Sequence, residues 1–358
     1  MHTDLQQAII DALRTVEDPD LKQDIVKLQM VESVEIEEHA VTVVLVLTTP
    51  ACPFQELLKK ACIAAIHKLV DDTLRVQVIC TSKVTTSPQL TKTLPQVKNI
   101  IAIAAGKGGV GKSTIAANVA ASLAQQGAQV GLLDADIYGP SMPIMFGCEH
   151  QKLQIEVHDN KKYMVPLRKY GVQLMSIGFL TAPEEAVIWR GPMASTALRQ
   201  LLYDTLWDNL DYLLVDLPPG TSDVHLTLSQ AIALTGALIV TTPQKVALAD
   251  VSKCIAMFQK PAIAIPILGM VENMSYLITS HAEQQDHVHP FGHGGGEDFA
   301  QAHDIPFLGT IPLAESIMQA GDTGVPIGIE EHGHAQHFKA IASKLAQQVA
   351  LQYFNATL

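Results

Sequence analysis

Residues 106–114 read Gly-Lys-Gly-Gly-Val-Gly-Lys-Ser-Thr, and no other segment constrains the structure as strongly. The segment contains G-x-x-x-x-G-K-S, the phosphate-binding P-loop pattern. Glycine lets the backbone curl so that successive N–H groups point toward phosphate oxygens. Lys112 brings a positive charge to the outer phosphates, and the Ser113 hydroxyl suits Mg²⁺ as a ligand. The pattern therefore predicts a site for ATP and Mg²⁺.

The segments on either side supply the setting that a P-loop needs. The apolar run 100–105 precedes it and is typical of a buried strand, while the alanine-rich stretch 114–126 favours a helix. P-loops occur between a strand and a helix. The alternative is a glycine-rich turn that binds no ligand, and this context argues against it.

Apolar segments alternate with helical patterns after the P-loop strand. We predict strands at 99–105, 129–134, 172–177, 211–216, 237–242, 265–271 and 306–311. This alternation predicts a P-loop NTPase domain of the α/β class over 98–358, with a doubly wound parallel sheet. Residues 1–80 predict a separate small α+β domain, and the polar segment 81–97 predicts a linker.

Composition excludes several classes of protein. The chain has 358 residues, 48% hydrophobic and 17% charged, which fits a globular α/β protein and not a disordered one. A net charge of −12 argues against nucleic-acid binding, because such proteins concentrate lysine and arginine. No apolar run approaches the ~20 residues of a spanning helix, and no signal-peptide pattern is visible. Five scattered cysteines fit a reducing cytoplasm.

Three aspartates stand at or just beyond the ends of two predicted strands. Asp134 and Asp216 end these strands, and Asp136 follows Asp134 by two residues. Because parallel strands end at one edge of a sheet, we expect the three carboxylates beside the P-loop. Asp134 and Asp216 are predicted to hold Mg²⁺ with Ser113, and Asp136 to orient the attacking water. The alternative for each is an N-cap of the next helix.

A second lysine, Lys107, follows the first glycine of the loop, where an ordinary P-loop requires none. The form K-G-G-x-G-K-[ST] resembles the deviant loop of the MinD/ParA and Mrp group of ATPases. In that group the early lysine reaches across a homodimer to the partner's nucleotide. The resemblance implies a nucleotide-sandwich homodimer in which Lys107 acts as an arginine finger does. A solvated loop lysine is the alternative.

Four further strings resemble the Mrp/ApbC family of P-loop ATPases, whose members are iron–sulfur cluster carriers. They are D-A-D-I-Y-G-P-S at 134–141, L-M-S-I-G-F at 174–179, W-R-G-P-M at 189–193 and V-E-N-M-S at 271–275. The resemblance covers about residues 98–330 and implies ATP hydrolysis and service to apo iron–sulfur proteins or assembly factors. Residues 1–80, with T-T-P-A-C-P at 48–53, look like the small domain of other iron–sulfur assembly proteins.

The resemblance also assigns site residues. Asn273 matches the family asparagine that hydrogen-bonds adenine, and a turn asparagine is the alternative. The residues expected to bind the nucleotide are Gly106, Lys107, Gly108, Gly109, Val110, Gly111, Lys112, Ser113, Thr114 and Asn273. The residues expected to act in hydrolysis are Lys107, Lys112 and Asp136.

The family pattern breaks at its cysteine pair. Family members carry C-x-x-C just after N-M-S, and two subunits pool these thiolates around one bridging cluster. In this chain Thr279 and Ala282 stand at those positions, and C-x-x-C occurs nowhere in the sequence. Thiolates suit iron–sulfur cores, whereas a hydroxyl and a methyl group do not. The usual cluster site is therefore absent, and the cluster ligands are unassigned.

Three interpretations of this loss are open. The histidines that follow offer imidazole ligands for a metal, with a solvated loop as the alternative; they are His281, His287, His289 and His293. Cys52 is a second candidate, because the start of a helix at Pro53 would favour its thiolate; a half-buried apolar role is the alternative. The third interpretation is that cluster handling was lost and a nucleotide-driven dimer acts on partners.

Two rival functions share the P-loop. A MinD/ParA-like switch would use the terminal helix 337–353 as an anchor, but that helix carries only two lysines, Lys339 and Lys344. A nucleotide-binding scaffold without turnover would not need Asp136 and Asp216. We therefore expect a cytoplasmic, homodimeric ATPase with slow, Mg²⁺-dependent hydrolysis.

Overall fold

The structure is a computed structural model that describes residues 2–87, 90, 94–180, 191–220, 232–261, 263–278 and 288–357. Contacts between Cα atoms divide the chain into two compact units. The first comprises Met1–Thr85 together with Ala346–Leu358, and the second comprises Thr86–Leu345.

The first unit is a small α+β fold, as the sequence predicts. Its elements are helix α1 (His2–Leu13), strands β1 (Val31–Glu37) and β2 (Ala40–Leu47), helix α2 (Gln55–Leu69) and strand β3 (Arg75–Ser82). The sheet order is β1-β2-β3, with β2 antiparallel to β1 and parallel to β3. Alternate residues of β2, from Val41 to Leu47, are buried, and they pack with apolar residues of α1 and α2 in one core.

The second unit is built on a mostly parallel sheet of eight strands. The strands are β4 (Val97–Ala105), β5 (Val130–Asp134), β8 (Leu167–Lys169), β9 (Val172–Ser176), β10 (Leu210–Asp216), β11 (Gly236–Thr241), β12 (Ile267–Glu272) and β13 (Phe307–Thr310). Their order is β13-β12-β11-β4-β10-β5-β9-β8, and β8 alone runs antiparallel to its neighbour. This sheet confirms the predicted α/β class.

The inner strands form because their apolar runs are continuous. Every residue of β5, β9 and β11 is buried, which requires cover on both faces and is typical of parallel strands. The described helices of this unit are α3 (Lys112–Gln125), α4 (Met142–Met145), α5 (Gly191–Tyr203), α6 (Lys245–Phe258), α7 (Gly295–Ala302), α8 (Glu315–Thr323) and the start of α9 (Ala335–Thr357).

Two features of this unit lack a clear sequence signal. A two-stranded antiparallel hairpin, β6 (Gln154–His158) with β7 (Lys161–Val165), lies outside the large sheet. Within the segment expected to be a polar linker, Leu90 and Leu94 are buried in the core of the second unit.

The edge at which the parallel strands end brings the expected site residues together. β4 ends at Ala105 directly before the P-loop, and β12 ends at Glu272 directly before Asn273. β10 lies between β4 and β5, so Asp216 stands beside Asp134 in the strand register. The sheet topology therefore places residues from four distant parts of the chain at one edge.

One glycine within α8 and the glycine that directly follows it give a test of this packing. A Cβ on Gly324, which ends the helix at φ 72°, would lie 2.4 Å from the backbone of Gly147. We expect Gly324→Ala to lower the free energy of unfolding by roughly 1–3 kcal/mol, because that backbone has no room to move. Gly321→Ala should instead raise it by about 0.5–1 kcal/mol, since open space surrounds this helical position. Urea unfolding would measure both, and equal effects of the two variants would contradict the packing described.

Candidate nucleotide site at the edge of the sheet

The P-loop is held between helix α6 and Asn273. A Cβ on Gly106 would lie 2.4 Å from the carbonyl carbon of Asp250 in α6, so only glycine fits there. Gly111 has φ 79° and would place a Cβ 2.2 Å from Nδ2 of Asn273. Helix α3 begins at the next residue, Lys112, so the loop ends in a helix N-terminus, where free N–H groups favour anions.

Lys112, Ser113 and Asp216 form one buried cluster. The Lys112 Nζ lies 2.6 Å from one carboxylate oxygen of Asp216, and the Ser113 hydroxyl donates to the other at 2.6 Å. Asp216 is fully buried, and the Lys112 side chain is 7% exposed. Burial raises the pKa of Asp216, while the ammonium of Lys112 and the two hydrogen bonds oppose that rise. Three residues predicted from the sequence therefore meet at one point.

Asp134 is a fully buried carboxylate whose oxygens are already used by the chain. One oxygen accepts the backbone N–H of Asp136, and the other accepts those of Ser141 and Met142 and the hydroxyl of Ser176. Burial first, and the negative charge of Asp216 second, raise its pKa to about 7. In this structure Asp134 orders the loop that carries Asp136 and accepts the N–H of Met142, the first residue of α4, which is close to the helix-capping alternative.

Asp136 lies half-buried at the start of that loop. Burial raises the pKa of its carboxyl group, the charge of Lys112 lowers it, and the charge of Asp216 raises it. Asp136 thus lies within the electrostatic reach of the cluster around Lys112. Its partial exposure leaves a carboxylate that can contact a water molecule.

A cleft of about 360 Å³ opens beside the P-loop helix. It is lined by Thr114, Ser141, Ile144, Met145, Asn273, Met274, Pro312, Leu313, Ala314, Ile317, Met318, Gly321 and Asp322. The walls are largely apolar, with a few polar groups, which is the usual character of a small-molecule site. The Asn273 amide donates to the backbone oxygen of Val110 at 2.8 Å and so ties this cleft to the P-loop.

Glu272 is a site residue that sequence reasoning missed. Its fully buried carboxylate accepts the Ser275 hydroxyl at 2.5 Å and the Gly296 N–H at 2.6 Å. A Cβ on Gly296 would lie 2.9 Å from that carboxylate, so the backbone approach requires glycine. Glu272 therefore joins the two ends of the segment between β12 and α7. The signal was a carboxylate at a strand end, the same signal that found Asp216.

Lys107 is half-buried in the P-loop. In the part of the chain that the structure describes, no carboxylate lies within ion-pair distance of its ammonium group. The single chain does not bring Lys107 onto the cluster of Lys112 and Asp216, so its expected role in a dimer stays a prediction.

Of the two interpretations of Cys52, the structure favours the half-buried apolar role. Helix α2 begins only at Gln55, and Cys52 lies half-buried ahead of it. Burial raises the pKa of the thiol to about 11, and the charges of Asp18 and Asp20 add to the rise. Cys52 is therefore a neutral thiol at neutral pH. Among the described residues, no group of three or more His, Cys, Asp or Glu side chains, with or without Cys52, has the arrangement of a metal site.

The segment in which the resemblance leads one to expect a cysteine pair is described only in part. Thr279, His281, Ala282 and His287 lie outside the described residues. His289 and His293 are described, and their ring centres lie 4.5 Å apart.

Two known families match this chain. Residues 96–350, more than half of the chain, match the family described as NUBPL iron-transfer P-loop NTPase. The chain belongs to this NTPase family. Residues 6–78 match the family described as iron-sulfur cluster assembly protein. These matches confirm the resemblance drawn from the P-loop and from the small first domain.

Curated relatives and solved structures agree with this assignment. The iron-sulfur cluster carrier protein of Synechocystis is 44% identical over 352 residues, covering 96% of this NTPase and 98% of the relative. The iron-sulfur cluster carrier protein of Escherichia coli K12 is 40% identical over 355 residues, covering 98% of this chain and 93% of the relative. The nucleotide-binding protein of Archaeoglobus fulgidus, solved in complex with ADP, is 35% identical with a TM-score of 0.58, covering 69% of this chain and 93% of its own.

A more distant likeness supports the fold. The cell division ATPase MinD of Pyrococcus furiosus is 23% identical with a TM-score of 0.50, covering 70% of this chain and 98% of its own. Among the described residues, no helix combines the length and apolar composition that crossing a membrane requires.

The buried Asp134 predicts a dependence of stability on pH. Its pKa is raised from 3.8 to about 7 on folding, so the folded protein binds the proton more tightly than the unfolded chain. The contribution of Asp134 to the free energy of unfolding is therefore largest below its unfolded-state pKa and is lost as pH rises toward ~7. We expect the free energy of unfolding of the nucleotide-free NTPase to fall between about pH 5 and about pH 7, and Asp134→Asn to flatten this slope. Urea titrations would measure it.

The control is Asp322→Asn, at an exposed position. It should keep the slope of the wild type. A slope of the same size in Asp134→Asn would show that the pKa of Asp134 does not change on folding.

Proposed function

We propose that this NTPase is a Mg²⁺-dependent ATPase that works as a nucleotide-sandwich homodimer in the delivery or assembly of iron–sulfur clusters. The observation that carries the ATPase part is the buried cluster in which Lys112 and Ser113 of the P-loop meet Asp216. The carrier part is supported by the shared name of relatives that match nearly the full chain.

The described residues fit a nucleotide and Mg²⁺. Two fully buried carboxylates with raised pKa values stand side by side, an arrangement that a divalent cation would stabilise. Ser113 and Asp216 would hold Mg²⁺, the loop from Gly106 to Thr114 would hold the phosphates, and the apolar cleft beside Asn273 would hold the base. ATP supplies the phosphoanhydride bond, and Mg²⁺ neutralises charge on its phosphates.

The chain's own groups divide the remaining work. Lys112 provides the positive charge at the outer phosphates. Asp136 orients the attacking water and is able to take its proton, since a raised pKa makes its carboxylate a stronger base. Asp134 fixes the position of Asp136 through the backbone N–H of that residue. Lys107 is supplied by the partner subunit and stabilises charge that develops on the transferred phosphoryl group.

Substitution of the two P-loop lysines tests these roles. We expect Lys112→Ala to lower the rate of phosphate release by about 10²-fold or more, because it removes a buried charge from the phosphates. Lys107→Ala should lower the rate by about 10³-fold and leave nucleotide binding in the isolated subunit intact. Calorimetry with ATP measures nucleotide binding, and a phosphate-release assay measures the rate of hydrolysis. Lys260→Ala, an exposed lysine, is the control that should match the wild type.

Mixed dimers then decide whether Lys107 acts in the partner's site. A dimer of one Lys107→Ala chain and one Asp136→Asn chain holds one site with an intact Asp136 and the partner's intact Lys107. The mixture should therefore recover activity that neither variant shows alone. Two inactive variants that stay inactive when mixed would refute the action of Lys107 across the dimer. Wild-type activity in Lys112→Ala would refute the ATPase site itself.

The proposed role in iron–sulfur cluster delivery or assembly has to be compatible with the absence of the C-x-x-C pair. Thr279 and Ala282 provide no thiolate, and Cys52 is a neutral thiol. We therefore place the function in ATP-driven work on apo proteins or assembly factors, without a cluster held firmly between two subunits of this chain. The rival, a MinD/ParA-like switch that handles no cluster, is favoured by the same missing cysteines, but the match of residues 6–78 to an iron–sulfur assembly family weighs against it.

Anaerobic reconstitution with iron and sulfide tests this point. We expect the wild type to hold little or no stable cluster, and a variant carrying Thr279→Cys with Ala282→Cys to gain one, because the two changes restore the spacing of the family. Visible absorbance and acid-labile sulfide measure cluster content. A stoichiometric, oxygen-sensitive chromophore in the wild type would contradict the expectation, and Cys52→Ala would then show whether that thiol holds it.

A further inference from the structure

Two histidines near the carboxyl edge of the sheet belong to no role assigned so far. His289 and His293 lie between β12 and α7, and their ring centres are 4.5 Å apart with an interplanar angle of 83°. His289 is half-buried and His293 is exposed. The pair stands in the part of this segment that the structure describes, within a short turn closed by the Gly292 N–H on the backbone oxygen of His289.

One ring nitrogen of His289 is fixed by the backbone. Nδ1 lies 2.9 Å from the backbone oxygen of Ser275. A carbonyl oxygen only accepts hydrogen bonds, so Nδ1 is the donor, and Nε2 is the ring nitrogen left to bind a metal. A backbone carbonyl on one nitrogen is the usual support for an imidazole that binds a metal through the other.

The support behind His289 is rigid. Ser275 donates its hydroxyl to the buried carboxylate of Glu272, and its N–H binds the backbone oxygen of Ile311. The strand pairing of Leu277 with Val288 fixes the chain just before His289. The ring is therefore positioned by the end of the sheet and not by loop contacts alone.

The separation of the two rings matches a shared metal ion. Imidazole nitrogens lie ~2.0–2.1 Å from a bound metal, so two rings whose nitrogens meet one ion with about a right angle between the two metal–nitrogen bonds have centres roughly 4.5 Å apart. Right-angle nitrogen ligation is typical of Ni²⁺ and Cu²⁺. We propose that His289 and His293 form a two-histidine site for a divalent transition metal. Two protein ligands leave the other positions of the ion open to water or to donor atoms of a partner.

Calorimetric titration of the full chain with Ni²⁺, without nucleotide, tests the site. We expect one Ni²⁺ per chain at about pH 7.5. His293→Ala should weaken binding by at least about tenfold. His289→Asn should do the same, and its side-chain amide can still donate to the Ser275 oxygen, so the supporting hydrogen bond is kept while the ligand is removed.

The matched control is a histidine held in the same way but without a histidine neighbour in its ring contact. The Nδ1 of His303 also lies 2.9 Å from a backbone oxygen, that of Phe299, and its ring stacks on the Phe299 ring, so His303→Ala should leave Ni²⁺ affinity within about twofold of the wild type. Thermal unfolding without metal shows whether each variant is folded. The proposal is overturned if the wild type binds no stoichiometric Ni²⁺, or if folded His289→Asn and His293→Ala bind it as the wild type does. Because no nucleotide is present, neither result depends on the proposed ATPase.

Discussion

The site depends on the burial of two carboxylates side by side at the edge of the large sheet. Asp134 and Asp216 end neighbouring strands at the same register position, and neither is exposed to solvent. Two such charges repel in a medium of low dielectric constant, and each loses its hydration. The ammonium group of Lys112 stabilises the carboxylate of Asp216, and four hydrogen bonds stabilise that of Asp134. The positions of the P-loop and of the loop after β5 follow from this requirement.

This arrangement also gives a physical reason for the second cation that we propose. Lys112 has one ammonium group, and in the structure it neutralises Asp216 at 2.6 Å. If that group turns to a phosphate, Asp216 is left buried without its counter-charge, which is strongly unfavourable. A divalent ion beside Ser113 and Asp216 would remove this conflict. The Mg²⁺ dependence that we propose would thus follow from burial, in addition to the charge of the phosphates.

The sequence predicted the sheet well because its inner strands are buried on both faces. Such strands appear as unbroken apolar runs that end in glycine or aspartate, and β5 and β10 began and ended within one residue of the expected positions. The hairpin of β6 and β7 was missed although Q-I-E-V-H in β6 alternates polar and apolar residues, because all of β6 and two of the five residues of β7 are exposed and neither strand is a buried apolar run. The sequence left two interpretations of Cys52 open because the pKa of its thiol depends on burial by residues distant in sequence. The particular partners of Asp134 could not be predicted for the same reason, since only folding brings these backbone N–H groups and the Ser176 hydroxyl to it.

The loss of the cysteine pair is local, and the framework around it does not depend on a cluster. Glu272 holds both Ser275 and Gly296, and the adjacent Asn273 binds the P-loop through Val110. These contacts use a buried carboxylate, a side-chain amide and backbone groups, with no metal ligand among them. A change at the P-loop is therefore able to reach the segment between β12 and α7 whether or not thiolates are present. That segment keeps its mechanical link to the nucleotide site, and its chemistry is set by the side chains that replace the cysteines.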